Sequence, residues 1–248
     1  MKFGTWNVRT LTDNPNSNRP ERRTAILAQD LRRFDIDIAT RSETRRAGEG
    51  QLKEHSGGYT FFWKGKPEAE RCFHGIGFAV KNELVDRLKN SPCGVTERLM
   101  TLRITLSRNQ CATVISVYAP TLNAMDEAKE DIYSNLETSL SRVPAGDKLI
   151  LLGDFNARVS KDTALWGGVI GREGVGKANS SGTLLLTKCL EHELLITNTL
   201  FRQRDKYKAS WQHPRSKHWH LLDYVIVRAR DRKDVRITRV DDCWTDHR

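Results

Sequence analysis

At 248 residues the chain has material for one large α/β domain or two small ones, and its 41 Lys and Arg against 31 Asp and Glu leave a net charge of +10. That surplus points to an anionic partner such as nucleic acid. The five cysteines (Cys72, Cys93, Cys111, Cys189 and Cys243) are odd in number and lack a Cys-x-x-Cys spacing, and no apolar run nears the roughly 18 residues of a bilayer span, so a disulfide framework, a cysteine-based zinc module and a membrane span are all excluded.

Residues 3–8 read as a buried strand that places Asn7 near its exit, and residues 12–20, rich in Asn, Pro and Ser, as an exposed loop. Ile26, Leu27, Leu31 and Phe34 recur at helical spacing within residues 21–34. The strand expected at 36–40 then delivers Glu43, completing a β-α-β opening. Strand-like runs follow at 59–63, 75–80, 99–106 and 112–118, separated by turn residues as in a meander, with Tyr118 ending the last. Residues 126–142 carry Ile132, Tyr133, Leu136 and Leu140 on one helical stripe. The nearly uninterrupted apolar run 148–152 reads as a strand covered on both faces and leads into Gly153-Asp154. A helix is expected at 184–194, a short strand at 195–198, an edge piece at 209–211 and a central strand at 224–227.

This alternation implies a layered α/β sandwich. Without a Pro/Gly/Ser-rich linker, charge block or internal repeat, residues 1–248 are expected to pack as one domain. The start Met1-Lys2-Phe3-Gly4-Thr5 enters a strand without a signal-peptide core, so a soluble intracellular protein, nuclear or cytoplasmic, is expected.

Short polar clusters end these apolar runs, and a sheet would hold them along a single edge. Beyond its apolar strand, Glu43 needs water, a cation or a hydrogen-bond donor. Mg²⁺, with Mn²⁺ as an alternative, suits it, because Mg²⁺ takes oxygen ligands and usually only one or two protein carboxylates. Asp246 is the candidate second acid; the plainer reading of Glu43 is an ion pair with Arg45 or Arg46. In Gly153-Asp154-Phe155-Asn156, Asp154 could orient or deprotonate a water while Asn156 donates to a phosphate oxygen, although Gly-Asp-x-Asn is also an ordinary turn. His247, next to Asp246, would stabilise charge growing on a phosphate if a carboxylate oriented it, and Asp223 is the candidate. Tyr118 is either a phosphate donor or a packed strand end.

His213, His218 and His220 lack cysteine partners and a helical His-x-x-x-His spacing, so zinc is not expected there. Trp211 and Trp219, with Arg215 and Lys217, fit an aromatic and basic loop that stacks on a base or opened backbone, or else simply packs. The 13 Lys/Arg against 7 Asp/Glu in residues 200–248, together with Arg45, strengthen the expectation of a nucleic acid.

The segments Thr-Trp-Asn-Val-Arg-Thr-Leu, Ser-Glu-Thr-Arg, Gly-Ile-Gly-Phe-Ala-Val, Tyr-Ala-Pro-Thr, Gly-Asp-Phe-Asn-Ala-Arg, Leu-Asp-Tyr-Val-Ile-Val and Thr-Asp-His occur in this order. Together they resemble the endonuclease/exonuclease/phosphatase superfamily, most of all the apurinic/apyrimidinic-like endonuclease domain of non-LTR retrotransposons and the craniofacial development protein 2-like group. The resemblance implies a four-layer α/β/β/α sandwich with two mixed β-sheets, Mg²⁺-dependent phosphodiester hydrolysis and DNA as substrate; a monomer without an obligate protein partner or a membrane is the expectation for the chain as a whole. It implies that Glu43 binds metal with help from Asn7 and Asp246, that Asp154 positions the water, that Asn156 and Tyr118 hold the phosphate, and that Asp223 orients His247. Two rivals remain: a nucleic-acid-binding relative that no longer cuts, and a phosphatase of lipid or inositol headgroups.

The sequence departs from the family pattern twice. Arg41, two residues before Glu43 and on the same strand face, replaces an aliphatic residue and must find a partner or distort its strand. The family also continues past its Asp-His pair into a final core strand, whereas Arg248 alone follows His247, so a C-terminally truncated domain without that strand is expected.

Overall fold

The computed structural model describes residues 1–12, 23–70, 72–204, 207–238, 240 and 247. The expectations for Asp246 and for most of the loop at 12–20 lie outside them.

Two mixed sheets stack face to face. In the first, β1 (Phe3–Asn7) runs parallel to β2 (Ile38–Ser42), and β5 (Ile76–Lys81), β4 (Tyr59–Lys64) and β3 (Glu49–Glu54) extend it antiparallel. In the second, β8 (Gln110–Tyr118) and β9 (Lys148–Asp154) are parallel. Around that pair, β7 (Leu99–Ser107) and β6 (Cys93–Thr96) lie on one side, β13 (Asp223–Arg228) and β10 (Leu194–Ile196) on the other. The parallel pairs are joined through α1 (Arg23–Arg33) and α3 (Asp126–Ser141), as parallel strands require. α2 (Asn82–Val85) is one short turn, α4 (Ser180–Glu191) covers the second sheet, and β11 (Trp211–Gln212) with β12 (Trp219–His220) forms a separate hairpin.

Side-chain alternation builds the layers. In β8, Val114 points between the sheets among Phe78, Met100 and Leu152, whereas neighbouring Ile115 points outward among Tyr133 and Leu136 of α3 and Leu185 of α4. On the far side, Leu27, Ala28 and Leu31 of α1 bury Val8, Ala39 and Phe61 of the first sheet. The result is α/β/β/α, as expected. Leu151 is fully buried in the second sheet, and its truncation to Ala would cost about 2–5 kcal/mol.

Sequence patterning missed β3 and β6. Both are edge strands of their sheets, and their burial alternates between partly buried and exposed positions, so neither shows an apolar run. Helix α4 starts earlier than its apolar stripe, because Asn179 accepts the backbone N–H of Gly182 at 2.8 Å and caps it; it ends at Glu191 rather than at 194.

Arg41 finds partners, and β2 stays regular. Its register runs unbroken past Trp6 of β1 and Gly77 of β5. The guanidinium lies 4.4 Å from the Phe61 ring centroid, and its Nη2 donates to the carbonyl oxygens of Phe78 at 2.7 Å and Phe62 at 3.4 Å. Gly77 leaves the room: a Cβ there would press on the Phe62 carbonyl and come 3.2 Å from Arg41 Nη2. Nε and Nη1 have no hydrogen-bond partner, and burial, with nearby Arg46, pushes the pKa down to about 9, which still leaves a cation at neutral pH.

Candidate active site

Topology gathers the candidate side chains at one end of the sandwich. Asn7 closes β1, Tyr118 closes β8, Asp154 closes β9, and Asp223 opens antiparallel β13, so that Tyr118, Asp154 and Asp223 lie side by side in the register. Glu43 follows β2 directly. The strands themselves are rigid and their exits are bent: Arg9, Glu43, Arg45 and Asn156 all adopt left-handed backbone with φ between 46° and 57°. Such residues cost of order 1–3 kcal/mol each and persist only where their surroundings hold them. At Gly153 a Cβ would collide with the Val117 carbonyl, so only glycine lets β9 approach β8 closely enough to align Asp154 with Tyr118.

One amide joins the sheets. Asn7 Nδ2 donates to Glu43 Oε1 at 2.8 Å and to Asp154 Oδ2 at 3.1 Å, while Asn7 Oδ1 accepts the Arg9 backbone N–H at 3.1 Å. Glu43 also accepts from the Tyr118 hydroxyl at 3.3 Å and from Arg45 at 3.2 Å. The plain ion-pair reading of Glu43 therefore holds alongside the other bonds. With Arg45 45% and Glu43 20% exposed at the side chain, the pair is weak and exchangeable.

The second half is dry. Asp154, Asp223 and His247 are all buried, and His247 Nδ1 donates to Asp223 Oδ2 at 2.9 Å, which leaves Nε2 directed 3.9 Å from Asp154 Oδ2. Asp154 Oδ1 accepts the Asn156 N–H at 2.9 Å, and the Asn156 side-chain amide donates to the Ala119 carbonyl at 2.9 Å. Burial, and then the charge of Asp223, push the Asp154 carboxyl well above the usual carboxylate range, while His247, Asn156 and Asn7 act in the opposite sense. Burial, with Glu43 and Asp154, likewise raises the Tyr118 phenol, which stays protonated and able to donate.

Glu43, partly exposed and hydrogen-bonded to Asn7, Tyr118 and Arg45, presents carboxylate oxygens that suit a hard divalent ion, and a buried acid–imidazole cluster lies beside it. Asp154, Asp223 and His247 offer ligand atoms within 4.8 Å of one another, and Asp223 Oδ1 is buried without a hydrogen-bond partner. Glu43 adds an exchangeable carboxylate across the Asn7 bridge.

The β11–β12 hairpin roofs this corner. Trp211 forms a bridge to His247, stacks on His220 with centroids 5.9 Å apart, and lies 6.4 Å from the His247 ring. Arg215, Lys217 and Trp219 are exposed on the hairpin and its turn. Sequence reasoning missed Ser210, whose Oγ accepts the N–H groups of Leu222 and Asp223 and so fixes the entry to β13; a lone serine before a tryptophan carries no signal. It also missed Arg98 and His74, which flank Tyr118.

Residues 4–247 match the sequence profile described as "Endonuclease/Exonuclease/phosphatase family". The chain belongs to the endonuclease/exonuclease/phosphatase family. A curated relative, craniofacial development protein 2 of Bos taurus, is 31% identical over 252 residues, covering 99% of this chain and 39% of the relative. The chain thus spans about two fifths of the length of the curated relatives it matches. Among solved structures, an AP endonuclease from Archaeoglobus fulgidus aligns with a TM-score of 0.57 at 15% identity, covering 84% of this chain and 82% of that one. The 3′ phosphatase NExo from Neisseria, bound to a product DNA hairpin, aligns with a TM-score of 0.53 at 17% identity, covering 90% and 85%. These likenesses establish the shared fold. Members of the endonuclease/exonuclease/phosphatase family are typically phosphodiester hydrolases that use divalent metals.

Proposed function

We propose that this chain is a Mg²⁺-dependent DNA endonuclease domain of mobile-element origin, nicking DNA by attack of water on phosphorus that breaks one P–O ester bond and releases the departing sugar oxygen as a hydroxyl. The observation that carries the reading is the buried His247–Asp223 pair facing Asp154, with Asn7 tying Asp154 to Glu43 across the two sheets. Glu43 and Asn7, with Asp246, would hold the cation, which when bound supplies Lewis acidity toward the phosphate oxygens. Asp154, with its raised pKa, orients the water and accepts its proton near neutral pH. The protonated Tyr118 phenol and the Asn156 amide hold the phosphate, and His247, its Nδ1 fixed by Asp223, turns Nε2 toward the negative charge developing on the phosphate oxygens.

The net charge of +10 and the exposed Arg215, Lys217 and Trp219 on the hairpin favour DNA over a small phosphorylated headgroup. The deciding experiment is nicking of supercoiled plasmid with Mg²⁺, with Mn²⁺ and with chelator, beside a panel of 3′-phosphate oligonucleotides and inositol phosphates. Metal-dependent nicking that Asp154→Ala abolishes supports the endonuclease. DNA binding without cleavage would make the chain a binding relative, and release of phosphate from the small substrates alone would make it a phosphatase; either result overturns the proposal.

A further inference from the structure

We infer that Arg98 and His74 clamp Tyr118 as its positioning residues, an assignment that rests on the hydrolytic reading of the site. The Tyr118 backbone N–H donates to the Arg98 carbonyl at 2.9 Å, and Arg98 Nη1 donates back to the Tyr118 carbonyl at 3.2 Å. Folded back this way, the guanidinium lies 4.9 Å from the Tyr118 ring centroid. Its other prong, Nη2, meets His74 Nε2 at 2.9 Å, and the His74 ring is tilted 58° against the Tyr118 ring at 5.9 Å. Tyr118 is therefore held by a cation and an imidazole that are themselves hydrogen-bonded.

The anchor points come from both sheets. Arg98 precedes β7 in the second, and its N–H is fixed by Thr96 Oγ1 at 3.1 Å. His74 precedes β5 in the first, and its carbonyl accepts the Arg45 N–H at 2.7 Å, next to Glu43. The clamp thus ties the phenol of one sheet to the turn that carries Glu43 on the other.

Burial and the charge of Arg98 push the His74 pKa down, with Glu97 and Glu43 opposing and Lys66 assisting, which keeps the imidazole neutral and able to accept from Arg98. Nδ1 then carries the proton and is buried with no hydrogen-bond partner among the described residues. A donor to a phosphate oxygen must be placed tightly, since a displacement of about 1 Å can cost roughly 100-fold in rate. Tyr118 reaches Glu43 through one long bond of 3.3 Å, so its direction depends on what holds the ring.

A double-mutant cycle on metal-dependent nicking tests the clamp. Arg98→Ala and His74→Ala should each lower kcat by about 10-fold or more with little change in KM, and both effects should shrink below about twofold in a Tyr118→Phe background. His74→Gln, which keeps an acceptor, should retain most of the rate. Equal losses in both backgrounds, or a change confined to KM, would overturn the assignment. Ring resonances of labelled Tyr118 provide a readout independent of turnover: the two ring edges should be distinct in the unaltered chain and merge through fast flipping in Arg98→Ala. Unchanged ring signals overturn the clamp even if the chain cuts, and a chain that does not cut while showing this ring response refutes the endonuclease reading alone.

Discussion

Glu43 and Asp154 share one hydrogen-bond donor, Asn7 Nδ2, yet they occupy opposite electrostatic surroundings. Glu43 sits on a left-handed turn off the first sheet, partly wetted, with Arg45 as a weak partner. Asp154 ends a central strand of the second sheet, 1% exposed, with a second buried acid beside it. A carboxylate on the wet side can trade its cation for another at little cost. One on the dry side carries an unfavourable charge that a proton, a metal or an imidazolium must offset. Under the proposed hydrolytic function, Glu43 would hold an exchangeable ion and Asp154 would move a proton.

Asp154→Ala should lower Mg²⁺-dependent nicking by about 10²–10⁴-fold, with no recovery at higher Mg²⁺. Glu43→Gln should instead raise the Mg²⁺ concentration needed for half-maximal rate and recover in part as Mg²⁺ increases. Metal titrations of both variants that coincide would erase the distinction.

The shared amide comes next. Asn7→Ala removes the bridge without removing a charge, and should cost about 10–100-fold in metal affinity or rate. A smaller loss, measured by metal titration of nicking, would mean that the two halves act separately.

Stability reads the same difference from the other side. Because folding raises the Asp154 pKa, the folded state binds its proton more tightly than the unfolded chain does. The wild type therefore loses stability, relative to Asp154→Asn, as pH rises from the unfolded carboxylate range through the raised value. Below that range the two should melt alike. At pH 8 without metal, Asp154→Asn should melt higher by roughly 2–4 °C, for about 1 kcal/mol. Paired melting curves across pH check the sign, and Mg²⁺ should narrow the gap.

Arg41 offers the smallest effect. Among the described residues its buried cation has ring and carbonyl partners but no carboxylate, so Arg41→Leu should change nicking less than about twofold. The same substitution should raise the melting temperature by a few degrees, for about 1 kcal/mol. A large loss of activity would show that Arg41 supports the Glu43 turn.

Much of this protein is legible in the sequence because local chemistry carries it. Apolar runs such as 112–118 and 148–152 announce central strands, helical stripes announce α1 and α3, and polar residues that end apolar runs mark Asn7, Glu43, Tyr118, Asp154 and Asp223 as candidates. The edge strands β3 and β6 escape because an exposed edge needs little apolar surface. Partnerships are a different matter, since spacing along the chain does not fix distance across two sheets. That Asn7 bridges two carboxylates, that Arg41 rests on Phe61, that Ser210 secures Asp223 and that Arg98 and His74 enclose Tyr118 follow from strand register and sheet stacking, which set which side chains meet and how much water reaches them.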